Sequence, residues 1–141
     1  MKLEPDEVEF LAQVPLLLAD VASFAEDPAA ARLEVPVYLD DPEANTDWWR
    51  LMKGELVSSR NADRSAFALL VEAAAEGTVA SRLEAEAFLR VLVEGRLALG
   101  ARLGVDTDDD YEKLDPADLG ALDYLAQMQV LLLACLDLPD A

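Results

Sequence analysis

The stretch LEAEAFLRVLVEGRLALGARL, from Leu83 to Leu103, decides the fold that we expect for this chain. Thirteen of its twenty-one residues are apolar, six are charged and two are glycine, and no proline interrupts it. On a helical wheel only Glu86, Arg90 and Glu94 form a polar stripe, and the second half is apolar nearly all round. Other elements must cover such a helix. We therefore predict a single all-α domain over residues 1–141, a helical bundle around a central buried helix at about 83–103.

Local signals mark the ends of the helices. Ser81 and Glu84 have the spacing of a capping box, and Gly104 is placed to end the central helix. Asp-Pro occurs three times and joins a carboxylate N-cap to a proline in the first turn of a helix. We expect helices at about 5–24, 28–34, 42–76 and 116–136. Pro15 should kink or divide the first helix, because proline removes a hydrogen bond and crowds the preceding turn.

The charge balance excludes several classes of function. The chain has 29 acidic and 11 basic residues, which gives a net charge of −18. Affinity for nucleic acid comes largely from Lys and Arg, so we expect no direct binding to DNA or RNA. The chain has no histidine and one cysteine, which leaves no disulfide within the chain and removes the commonest ligand of zinc and haem. We expect no cofactor and no enzymatic activity.

The expected location in the cell depends on the charge of the N-terminal run and on the length of the apolar runs. The N-terminal run MKLEPDEVEF carries four carboxylates and one lysine, the wrong charge for a signal peptide. We expect that no apolar run reaches membrane-spanning length, and we therefore predict no membrane partner. We expect a cytoplasmic protein.

Five acidic residues lie between Val105 and Lys113 and suggest a calcium loop. The spacing does not fit one, because counting from Asp106 places Tyr111 where the loop needs glycine and Ala117 where it needs glutamate. A solvated acidic loop is the interpretation that we favour.

The predicted long helix gathers several basic residues in one sector of the wheel, beside a pair of tryptophans. This candidate interaction strip consists of Trp48, Trp49, Arg50, Lys53, Arg60 and Arg64. It could contact an acidic partner or nucleic acid, with one tryptophan in the core and the other half exposed as an anchor. The interpretation that we favour for the basic side chains is that they neutralise neighbouring acidic helices or stay solvated.

Arg96 lies on the wheel among leucines rather than on the charged stripe. An unpaired buried charge is costly, so a polar partner is required. Gln129 shares an apolar sector of the last helix. We predict that Arg96 and Gln129, or Arg96 and a carboxylate of another helix, form a buried polar pair with a structural role.

Cys135 lies with Tyr124, Met128 and Leu131 on an apolar flank of the last helix. An inert small apolar residue is the favoured interpretation, because no cation lies nearby in sequence. The alternative is a redox-sensitive thiol that is oxidised or forms an intermolecular disulfide.

From about Asp27 to Leu136 the chain resembles an actinobacterial family of formerly unknown function, now described as the oxidative-stress transcriptional regulator AosR. The matching pieces are DPAAARL at 27–33, YLDDPEA at 38–44, WWRL at 48–51, RLALGARLG at 96–104, and the pattern of Asp123, Leu125 and Gln129. The resemblance implies an all-helical cytoplasmic protein that responds to oxidants and associates with the transcription machinery, with a sigma factor as the implied partner. The family's switch between two cysteines of one chain cannot be transferred to a chain that has one.

These observations lead to a functional expectation and an alternative. We expect a non-enzymatic regulatory protein that acts through protein contacts rather than by direct DNA binding. The alternative is a constitutive helical adaptor or structural interaction protein without a redox response. A homodimer is a further expectation, because the last helix has apolar residues on two flanks.

Overall fold

The computed structural model describes residues 2–19, 28–33, 40–77 and 79–136, and these ranges contain six α-helices and no strand. The helices are α1 (Pro5–Ala19), α2 (Pro28–Leu33), α3 (Pro42–Ala75), α4 (Arg82–Arg102), α5 (Asp108–Glu112) and α6 (Pro116–Leu136). The predicted all-α fold is confirmed. The predicted end of the first helix at 20–24, Glu34 at the end of the second helix and the N-cap at Asp27 lie outside the described residues.

The predicted helix starts are formed by the side chains that the sequence indicated. Asp41 accepts a hydrogen bond from the N–H of Ala44 at 3.0 Å, and Asp115 accepts one from the N–H of Asp118 at 2.9 Å. Ser81 and Glu84 form both hydrogen bonds of a capping box at the start of α4. These bonds satisfy N–H groups that have no acceptor within the first turn of a helix. The starts of α3, α4 and α6 are therefore fixed by local chemistry.

The helix α4 lies at the centre of the molecule, as predicted, and α1, α2, α3 and α6 all pack against it. Phe88 on α4 stacks on Phe67 of α3 with ring centroids 4.4 Å apart. The largest fully buried side chains are Phe67, Phe88, Leu11, Leu18, Leu92, Leu125 and Val91, from α1, α3, α4 and α6. One apolar core thus joins the four long helices.

Burial of α4 is less complete than the sequence predicted. Leu83, at the start of α4, is 78% exposed. Leu97 in the second half of the helix is 39% exposed, although Ala98 and Ala101 in that half are buried. The neighbouring helices cover one side of this segment, and the wheel alone could not show where their coverage ends.

Pro15 does not divide the first helix, so that alternative of the prediction is wrong. The helix α1 continues from Pro5 to Ala19 through the proline. Leu11 and Leu18, on either side of Pro15, are both buried in the core. Packing on both sides of the proline holds the helix together despite the lost hydrogen bond.

The predicted acidic loop contains the short helix α5. Thr107 accepts a hydrogen bond from the N–H of Asp110, and the Asp110 carboxylate accepts from the backbone of Thr107 and Asp106. These hydrogen bonds lower the pKa of Asp110. The Asp110 carboxylate therefore caps the start of α5. Among the described residues, no group of three or more acidic, Cys or His side chains is suited to a metal ion.

Candidate interaction surfaces

Two residues of the polar stripe of α4, Arg90 and Glu94, bond to α3, whereas Glu86 pairs with Arg82 of its own helix. Arg90 forms two hydrogen bonds with Asp63 of α3, from Nε to Oδ2 at 2.8 Å and from Nη2 to Oδ1 at 2.9 Å. Asp63 is 9% exposed. The hydrogen bond to Asp63 raises the pKa of Arg90. Residues 27 positions apart thus form a bidentate ion pair that ties the two helices together.

The predicted interaction strip is not one exposed surface. Arg64 lies 3.4 Å from Oε2 of Glu94 on α4, with the two side chains 19% and 17% exposed. Its Nε is buried and has no hydrogen-bond partner among the described residues. Arg60 donates a hydrogen bond from Nη2 to the carbonyl of Leu33 at 3.4 Å. Both arginines point toward α2 or α4, so including them in a contact strip was wrong, because their side of α3 packs on its neighbours.

The other end of the strip remains accessible. Arg50 is exposed and pairs with Asp47, one turn earlier, at 2.9 Å, while Trp48 is half-buried. The side chains of Trp49 and Lys53 lie outside the described part of the structure. Of the favoured interpretations, neutralisation of a neighbouring acidic helix describes Arg64 and solvation describes Arg50, whereas Arg60 donates to a backbone carbonyl.

Arg96 and Gln129 meet as predicted, but their burial was predicted wrongly. Nη1 of Arg96 donates a hydrogen bond to Oε1 of Gln129 at 2.9 Å and so joins α4 to α6. Arg96 is exposed and Gln129 is half-buried. The long arginine side chain carries its charged end out of the helix interface to water, so no buried charge has to be compensated.

Cys135 is exposed, and its exposure does not decide between an inert side chain and a redox-sensitive thiol. It lies near the end of α6 with three exposed apolar side chains, Val130 (65%), Leu131 (61%) and Leu133 (43%). Leu131 and Cys135 are one turn apart and share a side of the helix. We call Val130, Leu131 and Cys135 the α6 end face, because Leu133 points to nearly the opposite side of the helix from Leu131 and Cys135. Sequence patterning placed Cys135 on an apolar flank but could not show that the flank is uncovered.

The helix α6 is also long and apolar enough to cross a membrane, with a mean hydropathy of 1.6 over an 18-residue window. The expectation that no apolar run reaches that length is therefore wrong. A mostly buried core helix of a soluble protein meets the same criterion, but only 22% of this window is buried in the bundle, at Leu122, Leu125, Met128 and Leu132. That no membrane partner exists stays a prediction.

A cleft of about 340 Å³ lies between the first halves of α1 and α6, and the sequence gave no indication of it. On the α1 side it is lined by Asp6, Glu7 and Phe10. On the α6 side it is lined by Ala117, Gly120, Ala121 and Tyr124. We call it the α1–α6 cleft.

Tyr124 forms the wall of the α1–α6 cleft and is held by two contacts. Its hydroxyl donates a hydrogen bond to Oε2 of Glu7 at 2.6 Å, and its ring packs edge to face against Phe10 with centroids 5.3 Å apart. Burial, followed by the hydrogen bond to Glu7, raises the pKa of Tyr124. Glu7 and Tyr124 are 117 positions apart, so no local spacing could have indicated their contact.

The comparison with protein families identifies a family without naming an activity. The model of DUF2017, a domain of unknown function, matches residues 1–136. No curated protein and no solved structure matches the chain. Since the family match includes all six helices from Pro5 to Leu136, this chain belongs to the DUF2017 family.

Proposed function

We propose that this chain is a non-enzymatic, cytoplasmic regulatory protein that responds to oxidants through contacts with a protein partner. The observation that carries the proposal is the α6 end face, where the single cysteine is exposed among exposed apolar side chains. Clustered apolar side chains on the surface of a strongly acidic protein are typical of a contact site. Oxidation at Cys135 would change that site directly.

The chemistry requires only an oxidant and one thiol. The Cys135 thiolate attacks an oxygen of hydrogen peroxide, so that an S–O bond forms as the O–O bond breaks. Sulfur is oxidised to a sulfenic acid, and the other oxygen leaves as hydroxide and is protonated to water. A disulfide then needs a thiol of a second molecule, which condenses with the sulfenic acid and releases water. Either product places a polar or bulky group in the α6 end face.

The proposed partner is a protein of the transcription machinery. A sigma factor is the partner that the resemblance to the AosR regulators implies, and the family match does not carry this assignment. A net charge of −18 opposes direct contact with DNA, because DNA affinity depends on cationic side chains that displace counterions. A partner protein would therefore provide the contact with the promoter.

The test compares four captures from a native lysate. The immobilised native chain and a Cys135→Ser variant are each used before and after treatment with peroxide, and bound proteins are identified by mass spectrometry. We expect the native chain to gain or lose a transcription protein on oxidation and the variant to behave identically in both conditions. Equal capture in all four arms would remove the redox response, and no specific capture in any arm would remove the regulatory role.

A constitutive adaptor is the second candidate, favoured by one observation. The last turn of α6 contains no basic residue, so no neighbouring cation on that turn promotes the thiolate of Cys135. An adaptor would capture the same partner in all four arms. A homodimer through the α6 end face would appear as a concentration-dependent mass in light scattering, which Leu131→Glu should abolish if the face is the contact.

A further inference from the structure

Two contacts of Tyr124 with α1 hold one wall of the α1–α6 cleft in place. Tyr124 is held by a hydrogen bond to Glu7 and by edge-to-face packing on Phe10, so its ring cannot turn away without losing both contacts. Ligand sites in proteins are usually formed before the ligand binds, and they are concave and mostly apolar with a few polar groups. The α1–α6 cleft is shallow and mostly apolar, with two carboxylate side chains in its lining and a volume of about 340 Å³, room for a large side chain.

The α6 side of the cleft permits a close approach. It consists of Ala117, Gly120 and Ala121 beside Tyr124. A Cβ added at Gly120 would meet no heavy atom within 4 Å, so space is open directly above the helix backbone there. An apolar side chain of another protein can therefore reach the surface of α6 between Phe10 and Tyr124.

The negative charge at the edge of the cleft favours basic residues next to the apolar side chain that enters it. Asp6 is exposed, and its carboxylate forms no hydrogen bond or ion pair with any described residue. Glu7 lines the cleft beside it and accepts hydrogen bonds from Tyr124 and from the N–H of Glu4. No Lys or Arg is among the residues that line the cleft. The overall charge of −18 adds a long-range attraction for cations.

We propose that the α1–α6 cleft binds a basic segment of a protein partner, with an apolar side chain in the cleft and a flanking Lys or Arg at Asp6 and Glu7. This inference rests on the proposed function, since it locates a protein contact of a regulator. It deepens that function by giving the partner segment a composition, apolar and basic, and by separating this contact from the α6 end face.

Two synthetic amphipathic peptides test the proposal. Both carry the same Leu and Phe face, and one has Lys and Arg where the other has Glu. Backbone amide resonances of the isotope-labelled chain are followed during each titration. We expect the basic peptide to shift resonances of Phe10, Gly120 and Tyr124, and the acidic peptide to leave them unchanged.

Matched variants locate the contact. Gly120→Leu fills the cleft and should weaken binding of the basic peptide about tenfold. Gly54→Leu is its control, because a Cβ at the exposed Gly54 also meets no atom within 4 Å. Asp6→Asn should weaken binding about threefold at low salt, while Glu55→Gln on α3 should not. Ala117→Leu provides a second obstruction if Gly120→Leu does not fold.

Several outcomes would overturn the proposal. The first three are equal binding of both peptides, shifts confined to the α6 end face, and no shift at all. The fourth is a change of the cleft resonances with protein concentration alone, which would identify a second copy of the chain as the occupant.

Partner capture separates the two hypotheses. A partner that Gly120→Leu still captures leaves the regulatory function and removes the cleft, whereas a lysate without any partner removes the function while the peptides still decide the cleft.

Discussion

Gly95 lies where α4 meets the side chain of Val14 on α1. A Cβ at Gly95 would lie 2.6 Å from Cγ1 of Val14, a separation that real structures do not tolerate. Valine is stiff at χ1, so its methyl group cannot turn aside and the helices must separate. We expect Gly95→Ala to lower the free energy of unfolding by about 1–2 kcal/mol, because overpacking outweighs the better helix propensity of alanine. Urea denaturation measures the change.

A control for Gly95→Ala lies on the same helix. A Cβ at Gly100 would meet nothing within 4 Å, so Gly100→Ala should leave stability unchanged or raise it by up to about 1 kcal/mol. Adding Val14→Ala to Gly95→Ala should cost less than the sum of the two single changes, because the smaller side chain makes room for the new methyl group. Strict additivity would contradict the proposed clash.

Tyr124 provides a test that depends on pH. Its pKa is raised in the folded state, so folding favours the neutral phenol. That stabilisation is complete below the usual tyrosine pKa of about 10 and is lost as pH rises from there through the folded-state pKa. The difference in unfolding free energy between the native chain and Tyr124→Phe should be constant from pH 7 to 9 and shrink above about pH 10. A difference that grows with alkaline pH would contradict this sign.

At the scale of elements, the ion pair of Asp63 and Arg90 couples α3 to α4. Asp63 is nearly buried and accepts two hydrogen bonds, whereas the Arg90 side chain is 54% exposed and can be hydrated when its partner is removed. We therefore expect Asp63→Ala to cost about 1–2 kcal/mol, less than the loss of a fully buried pair. Chemical denaturation of both single variants and of the double variant with Arg90→Ala gives the coupling energy.

Asp47 provides the matched control on the same helix. Its pair with Arg50 has a similar distance of 2.9 Å, but the two side chains are 52% and 72% exposed. Asp47→Ala should change stability by less than about 0.5 kcal/mol. Since both substitutions introduce alanine within α3, helix propensity largely cancels. Equal costs at Asp47 and Asp63 would show that the contact between α3 and α4 does not depend on this ion pair.

The helix starts could be predicted from the sequence because their chemistry is local. Asp41 and Ser81 bond the N–H groups three residues later, and such spacing is visible in the chain. Partners on different helices could not be predicted. The polar stripe of Glu86, Arg90 and Glu94 was found correctly, but nothing in 29 acidic residues singles out Asp63 as the partner of Arg90. Which face of a helix is covered depends on its neighbours.

The same limit explains the errors at the candidate sites. Arg60 and Arg64 do share a side of α3 with each other, yet that side packs toward α2 and α4. Arg96 and Gln129 were paired correctly from their apolar surroundings, because a charge among leucines requires a polar partner. The exposure of the Arg96 side chain, in contrast, depends on how far the neighbouring helices extend beside it. The α1–α6 cleft combines residues from both ends of the chain and has no local pattern.

At the scale of the whole molecule, the excess of acidic residues acts against the compact state. A charge of −18 is confined to a small volume on folding and is spread over a larger one on unfolding. Salt screens this repulsion over a Debye length of about 10 Å at 0.1 M. The exposed ion pairs, such as Arg50–Asp47 and Arg82–Glu86, are weakened by the same screening but contribute little. Repulsion should therefore decide the sign of the salt effect.

We expect the melting temperature to rise by about 3 °C when the NaCl concentration is raised from 10 to 300 mM. Most of the rise should occur below about 150 mM, as screening requires, whereas an effect of salt on apolar hydration would grow steadily with concentration. A variant with Glu9, Glu55 and Glu72 replaced by Lys removes three exposed negative charges and adds three positive ones. It should melt higher than the native chain at 10 mM and respond less to salt, because less repulsion remains to be screened. A melting temperature that falls with salt in both proteins would mean that attraction between opposite charges exceeds the net repulsion.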